Sequence, residues 1–542
     1  MAFFGVVLGE NKNGGKIMRK KCIVLILISI MITALLLCSY TACSGKNDRD
    51  DGFNDIGDSN YPEGWNPGAP SPGGADDSTH EPGFDPTGIR ENPIIDTTLQ
   101  NDLYLSLDAH TAGYTQLKNA ILGGRYYGDY ANLVQIDQML NYFKYDYDMP
   151  QDDELLAITS SVFDCPYNDS AKLLRIGLTS KQVQIESMQN NIVLLLDVSG
   201  SMSGATKIDL MKQAMIKMVE NLNPDDTVSI VTYSKTTKVV IDGMTMSENA
   251  NEIKRKINDL RADGGTNGSG GIQKAYEVAK SHFIEDGNNR IILATDGDFN
   301  IGISNVGDLK EFISSKRDDG IYLTCIGLGY NNDYSTATME ALAKSGNGYW
   351  GYIHDMDDAQ KLLVDDLAST IITIAKDVKA KIVFNADTVK YFRLLGYEGN
   401  ILSSDDFDDE KTDAGEIGTG FTLSLCFEIQ LQDGIELTQD LDIANVNIRY
   451  KDPNSSPEDT SSELDLPIKG DSYTDTPSQD DRFVSSVVEF ALILLNSNYK
   501  GNANLDNVIA RLQAMEFDDA YKNEFVQVVN TYKTNLGNTN LR

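Results

Sequence analysis

Ile192-Val193-Leu194-Leu195-Leu196 is apolar without a break, the pattern of a strand buried on both faces. Behind it, Ile208, Met211, Met215, Met218, Val219 and Leu222 recur at three- and four-residue intervals, the spacing of an amphipathic helix. The two patterns then take turns. Further strands are expected at 228–233, 238–241, 291–295, 322–328 and 349–353, with helices near 252–260, 272–283, 306–315, 337–344 and 359–374. Such alternation implies a doubly wound α/β unit over residues 189–375, with a mostly parallel sheet covered on both faces. Its methionines fill core space and do not mark a cofactor site.

On either side of this unit the period changes. Val378, Ala380, Ile382 and Phe384 alternate with Lys379, Lys381 and Val383, and Phe421, Leu423, Leu425, Phe427 and Ile429 alternate with mostly polar residues. Period two predicts half-buried antiparallel strands. With the stretch 446–450 they define a β-rich domain over 376–475. Helical spacing returns in Phe483, Val487, Phe490, Ala491 and Leu494, then in Val508, Ile509 and Leu512, then in Phe525, Val528, Val529 and Tyr532, which gives a terminal helical module over 476–542. Ahead of the α/β unit, residues 99–188 form a smaller amino-terminal domain, helical over 133–143 and with a strand at 173–178. Its run of Tyr142, Phe143, Tyr145 and Tyr147 reads as core packed against a neighbour.

The amino terminus reads as an export signal. Arg19, Lys20 and Lys21 precede the apolar run 22–37, which is short for a membrane span, and Met18 is the expected start of a signal peptide ending at residue 42. Small residues before Cys43 resemble a bacterial lipoprotein cleavage box, with Cys43 as the lipidated residue. Tyr40 stands where that box usually has leucine, so ordinary signal-peptidase cleavage and an uncleaved anchor stay open. Residues 43–98 are rich in Gly, Pro, Asp, Asn and Ser, a tether with an r.m.s. span on the order of 40 Å.

The formal net charge of −35 disfavours nucleic-acid binding and keeps the chain away from anionic lipid. Cys165, Cys325 and Cys426 lie far apart in the folded part and do not form a disulfide framework.

The chemistry concentrates at Asp197-Val198-Ser199-Gly200-Ser201, directly behind the first buried strand, where open α/β sheets place their ligands. The glycine-rich loop 264–270 carries Thr266 before an expected helix, and the strand at 291–295 runs into Asp296 and Gly297. Together these resemble a von Willebrand factor A (VWA) domain, a Rossmann-like fold, with a complete metal-ion-dependent adhesion site. The resemblance implies Mg2+ or Mn2+ held by the hydroxyls of Ser199, Ser201 and Thr266, with Asp197 and Asp296 acting through hydrogen bonds or bound water. It also implies a coordination position filled by an Asp or Glu carboxylate of a protein partner. The stretches 392–398, 413–418 and 448–453, with 293–300 and 346–348 inside the A domain, are similar to those of a bacterial family of VWA lipoproteins with its own amino- and carboxyl-terminal domains.

Enzyme readings find little support. The chain has four histidines, and His80, His110, His282 and His354 are scattered over different modules, against a Ser-His-Asp hydrolase or a histidine zinc site. The stretch 296–300 hints at an EF-hand, but Ile301 stands where glycine is required and Gly307 where the bidentate glutamate belongs. The expected function is therefore a membrane-anchored, extracytoplasmic, divalent-metal-dependent protein-binding module of the bacterial cell envelope, and not an enzyme. A structural or assembly lipoprotein whose metal mainly stabilises the fold is the alternative, and a cell-envelope hydrolase a more distant one.

Overall fold

In the computed structural model the described residues are 91–539, apart from 109, 125–129, 152–153, 185–187, 298–305, 330–332 and 457. The export signal, nearly all of the tether, Cys43 and His80 lie outside the described residues.

Before the α/β unit the described residues form four strands, β1 (Ile95–Asp96), β2 (Asp102–Ser106), β3 (Leu156–Asp164) and β4 (Lys172–Ser180). The expected alternation then builds β5 (Asn190–Asp197), β6 (Thr227–Tyr233), β7 (Thr237–Thr245), β8 (Asn288–Thr295), β9 (Ile321–Leu328) and β10 (Trp350–Ile353). These six make one sheet in the order β10-β9-β8-β5-β6-β7, parallel throughout except for β7 against β6. The unbroken apolar run has a simple cause here, since β5 lies centrally and all its residues are buried. Ile192, Leu194 and Leu196 pack on one face against Met211, Met215, Met218, Ile253 and Ile257. Val193 and Leu195 pack on the other against Ile272, Ala275, Leu309, Ile313 and Leu342. Truncating a core side chain such as Leu194 to alanine would cost about 2–5 kcal/mol.

The helix expected at 359–374 is shorter and broken, and Thr373 already begins the next strand. The run Thr370-Ile371-Ile372-Thr373-Ile374 explains this, because β-branched side chains favour extended backbone. From here come β11 (Thr373–Phe384), β12 (Val389–Leu395), β13 (Gly415–Gly418), β14 (Thr422–Leu431), β15 (Asp442–Lys451) and β16 (Ser462–Lys469). Two further sheets result, one ordered β1-β12-β14-β4-β3 and the other β13-β11-β15-β16 with β2 also paired to β11. Their inner faces share a core of Leu105, Ile176, Leu178, Ile382, Phe392, Leu425, Phe427, Val446 and Ile448. Strands from before and after the α/β unit thus share hydrogen-bonded ladders, with Leu178 opposite Leu423 and Leu105 opposite Ala380. The α/β unit is inserted into a sandwich whose halves lie on either side of it in sequence.

The terminal helices Gln479–Leu494, Leu505–Gln513 and Ala520–Thr539 share a second core with Ala112–Leu122 and Ile136–Asn141 near the amino-terminal end. Phe143 meets Phe483 and Phe525 with ring centroids 4.9 and 5.6 Å apart, so the aromatic run of the amino-terminal segment is core, as its pattern indicated.

Candidate metal centre

From β5 the chain passes to β6 on one side, whereas β8 lies on the other side of β5. The strand order therefore reverses between β5 and β8, and it is at the carboxyl ends of strands flanking such a switch that open α/β sheets place their ligands. Asp197 ends β5, and Asp296 follows directly on β8.

Asp197 is fully buried, and both its carboxylate oxygens are engaged. Oδ1 accepts from the Ser199 backbone N–H at 2.8 Å, and Oδ2 from the Thr295 hydroxyl at 2.9 Å. Burial pushes the Asp197 carboxyl up from its ordinary range, while the hydrogen bonds from Ser199 and Thr295 pull it back. The Ser199 and Ser201 hydroxyl oxygens lie 2.9 Å apart, and the Ser201 hydroxyl donates to Asp296 Oδ1 at 3.4 Å. Backbone bonds clamp the loop that carries Thr266 onto this turn: Gly200 N–H donates to Gly264 C=O at 2.9 Å and Asp263 N–H to Val198 C=O at 2.8 Å. A Cβ at Gly200 would stand 3.0 Å from the Gly264 oxygen, so the crossing leaves little room for a side chain. Thr266 itself is half-buried in that loop, one residue before the helix cap Asn267.

Four of the five residues expected at the site are therefore joined by hydrogen bonds, and the fifth sits in a loop fastened to them. Two further residues belong to the network. Thr295 orients Asp197, and the Lys207 ammonium donates to the Ser201 carbonyl at 3.0 Å and to Asp296 Oδ2 at 2.8 Å. The Lys207 stem passes Gly329, where a Cβ would come within 2.9 Å of it. Thr295 was discernible as the last strand residue before Asp296, but Lys207 carried no signal beyond being a lysine near a helix start.

The donor set fits a hard divalent cation. It offers neutral hydroxyl oxygens beside buried carboxylates, and the 2.9 Å between the serine oxygens equals the separation of adjacent ligands on an octahedral ion with bonds of about 2.0–2.1 Å. Lys207 already sets one positive charge against Asp296. Two of the histidines are engaged elsewhere. His282 pairs with Asp242 at 2.8 Å, and His110 Nδ1 accepts from the Trp350 N–H at 3.3 Å.

Comparison with known proteins gives three family matches: "von Willebrand factor" over residues 85–175, "von Willebrand factor type A domain" over 191–365 and "Uncharacterized protein YfbK, C-terminal" over 369–534. Uncharacterized protein YfbK of Escherichia coli (strain K12) is 30% identical over 464 residues, which cover 81% of this chain and 79% of that protein. Human inter-alpha-trypsin inhibitor heavy chain H4 is 28% identical over 221 residues, 39% of this chain but only 23% of that protein. Among solved structures, a von Willebrand factor type A protein from Catenulispora acidiphila aligns at 15% identity and a TM-score of 0.40, covering 68% of this chain and 91% of that one.

Proposed function

Because the chain belongs to the bacterial VWA family that includes YfbK, we propose that it binds a protein partner through a divalent cation, Mg2+ or Mn2+, at the end of β5. VWA proteins generally serve protein interaction or adhesion, and the observation that carries the metal-dependent reading is the serine pair between two buried carboxylates. Ser199, Ser201 and Thr266 would hold the ion, with Asp197 and Asp296 setting the orientation of the hydroxyls. The ion would supply attraction for an Asp or Glu carboxylate of the partner. Since neutral hydroxyls compensate little of its charge, it keeps the capacity to attract that anion.

The chain's own residues shape this preference. Asp197 spends both oxygens on Ser199 and Thr295, which fixes the turn that presents the serines, and Lys207 shares Asp296. We further read Cys43 as a lipid anchor that holds the protein on the extracytoplasmic side of a membrane, supported by the basic and apolar segments before it and the tether after it. Loss of metabolic palmitate labelling in Cys43→Ser is the expected outcome, and retained labelling would refute the anchor.

The function is tested by pull-down from envelope extract with and without chelator, using the wild type and Asp197→Ala. Capture should need the metal and fail in the variant. If Asp197→Ala no longer binds metal yet still captures the same partner, the metal-dependent reading is wrong and partners dock elsewhere.

A further inference from the structure

At the opposite end of the α/β sheet, two stretches apart in sequence come together. Asp377 sits in a bulge of β11, Asp413 just before β13, and Glu416 on β13, and one carboxylate oxygen from each lies within 4.8 Å of the others. The cluster faces the A domain, whose Arg317 pairs with Asp413 at 2.6 Å, while Lys451 of β15 lies 3.6 Å from Asp377. Lys344, Lys376 and Arg290 stand near enough to add positive charge to the cluster. Glu416 Oε1 is sealed from solvent with no hydrogen-bond partner. Burial, with Asp413 beside it, holds the Glu416 carboxyl well above the usual carboxylate range.

A second group points to a ligand here. Asn347, in the turn between the helix Asp333–Ser345 and β10, is only 4% exposed, and its Oδ1 also lacks a hydrogen-bond partner. It borders both the cavity of about 600 Å3 that Asp377 and Asp413 line and the small adjoining cavity that Glu416 lines. A buried acceptor without a donor costs about 1–3 kcal/mol unless something fills its shell.

We propose that Asp377, Asp413, Glu416 and the Asn347 amide oxygen form a second cation site, of calcium type, which staples the A domain to the sandwich. Every donor is oxygen, as Ca2+ prefers, and two oxygens across one Ca2+ stand about 4.6–5.2 Å apart, which accommodates this cluster. The larger cavity admits the waters that would complete a shell of six to eight ligands. Arg317 and Lys451 would stay as partners of the outer carboxylate oxygens.

The test is Ca2+ titration of the full chain by calorimetry, with Tb3+ luminescence as a second probe, in an Asp197→Ala background so that only this site reports. One Ca2+ should bind and raise the melting temperature, and Glu416→Gln, which keeps shape and removes charge, should weaken it at least tenfold, as should Asp377→Asn. Melting in chelator shows whether each variant is folded. No Ca2+ binding in the Asp197→Ala chain, or binding that folded Glu416→Gln leaves unchanged, overturns the proposal without touching the centre at β5. A chain whose only bound cation is kept in Asp197→Ala and lost in Glu416→Gln would sink that other reading and leave this one standing.

Discussion

Replacing Asp197 by asparagine separates the roles of its charge. The amide has nearly the shape of the carboxylate, and its oxygen can still accept from Ser199 N–H while its NH2 meets the Thr295 hydroxyl, which can turn to accept. The fold therefore loses no hydrogen bond and no longer buries an anion. Removing an orienting carboxylate next to a metal ligand costs roughly 10–100-fold in affinity. At a metal concentration 100 times the wild-type Kd, binding stabilises the wild type by about 2.7 kcal/mol and a variant weakened 100-fold by about 0.4 kcal/mol. For a unit the size of the A domain these amount to melting shifts of roughly 5–10 °C and about 1 °C.

The assay is thermal melting with Mn2+ or chelator across pH. Because burial raises the folded-state pKa of Asp197, any stability its protonated form provides is present at low pH and lost as pH rises through that raised value. In chelator at pH 7.5 the asparagine variant should thus melt no lower than the wild type, and any advantage should vanish toward pH 4. A variant that keeps the full metal shift, or that melts several degrees lower in chelator, refutes the assignment of this charge to the metal.

Three other outcomes follow from the same physics. Lys207→Met keeps the stem but frees Asp296 of its ammonium, so Mn2+ affinity by calorimetry should tighten by roughly five- to tenfold, about 1 kcal/mol for a partly exposed pair, and unchanged affinity would make Lys207 a prop. Arg393 and Glu428 form a fully buried pair at 2.9 Å that Tyr167 also engages, so Arg393→Met should lower denaturant stability by about 3–5 kcal/mol, and adding Glu428→Gln should recover part of it. Burial, with Asp137 alongside, pushes Glu398 up to about 8, so the stability of its protonated form is present below the ordinary carboxylate range and lost as pH rises through 8. Glu398→Gln should accordingly raise the melting temperature at pH 8.5 and leave it unchanged at pH 4, and equal effects at both would deny the shift.

Local pattern carried the α/β unit because each signal is local. The two faces of β5 are written in five consecutive apolar residues, and the site residues sit at strand ends that the same pattern locates. Pairing across long separations has no such signal. Period two marked 378–384 and 421–429 as strands, but nothing in it says that β14 lies beside β4, which comes from before the inserted domain. Lys207 was hidden for a similar reason, since its meaning comes from Asp296, 89 residues away. The stretches 346–348 and 413–418 stood out in the sequence without a purpose, and only the fold shows that Asn347, Asp413 and Glu416 border adjoining cavities.

The parallel strands that hold the proposed metal centre begin at the sandwich. Asn288 and Asn289 of β8 and Tyr322 of β9 line the same cavity as Asp377 and Asp413, while Asp197 and Asp296 lie where β5 and β8 finish. An eight-residue strand advances about 26 Å, so the two acidic centres stand roughly that far apart along one rigid sheet. One end is tied to the body by Arg290 bonding Thr373 at 3.0 Å and by Tyr322 bonding the Pro453 carbonyl at 3.1 Å. The other end carries Asp197 and Asp296. A partner that docks over the proposed centre therefore meets the end of the sheet opposite Asp377 and Asp413. The strands are one route from that end to the sandwich, and the ion pairs of Asp358 with Lys118 and of Asp366 with Lys144 give the α/β unit further ties to the amino-terminal segment.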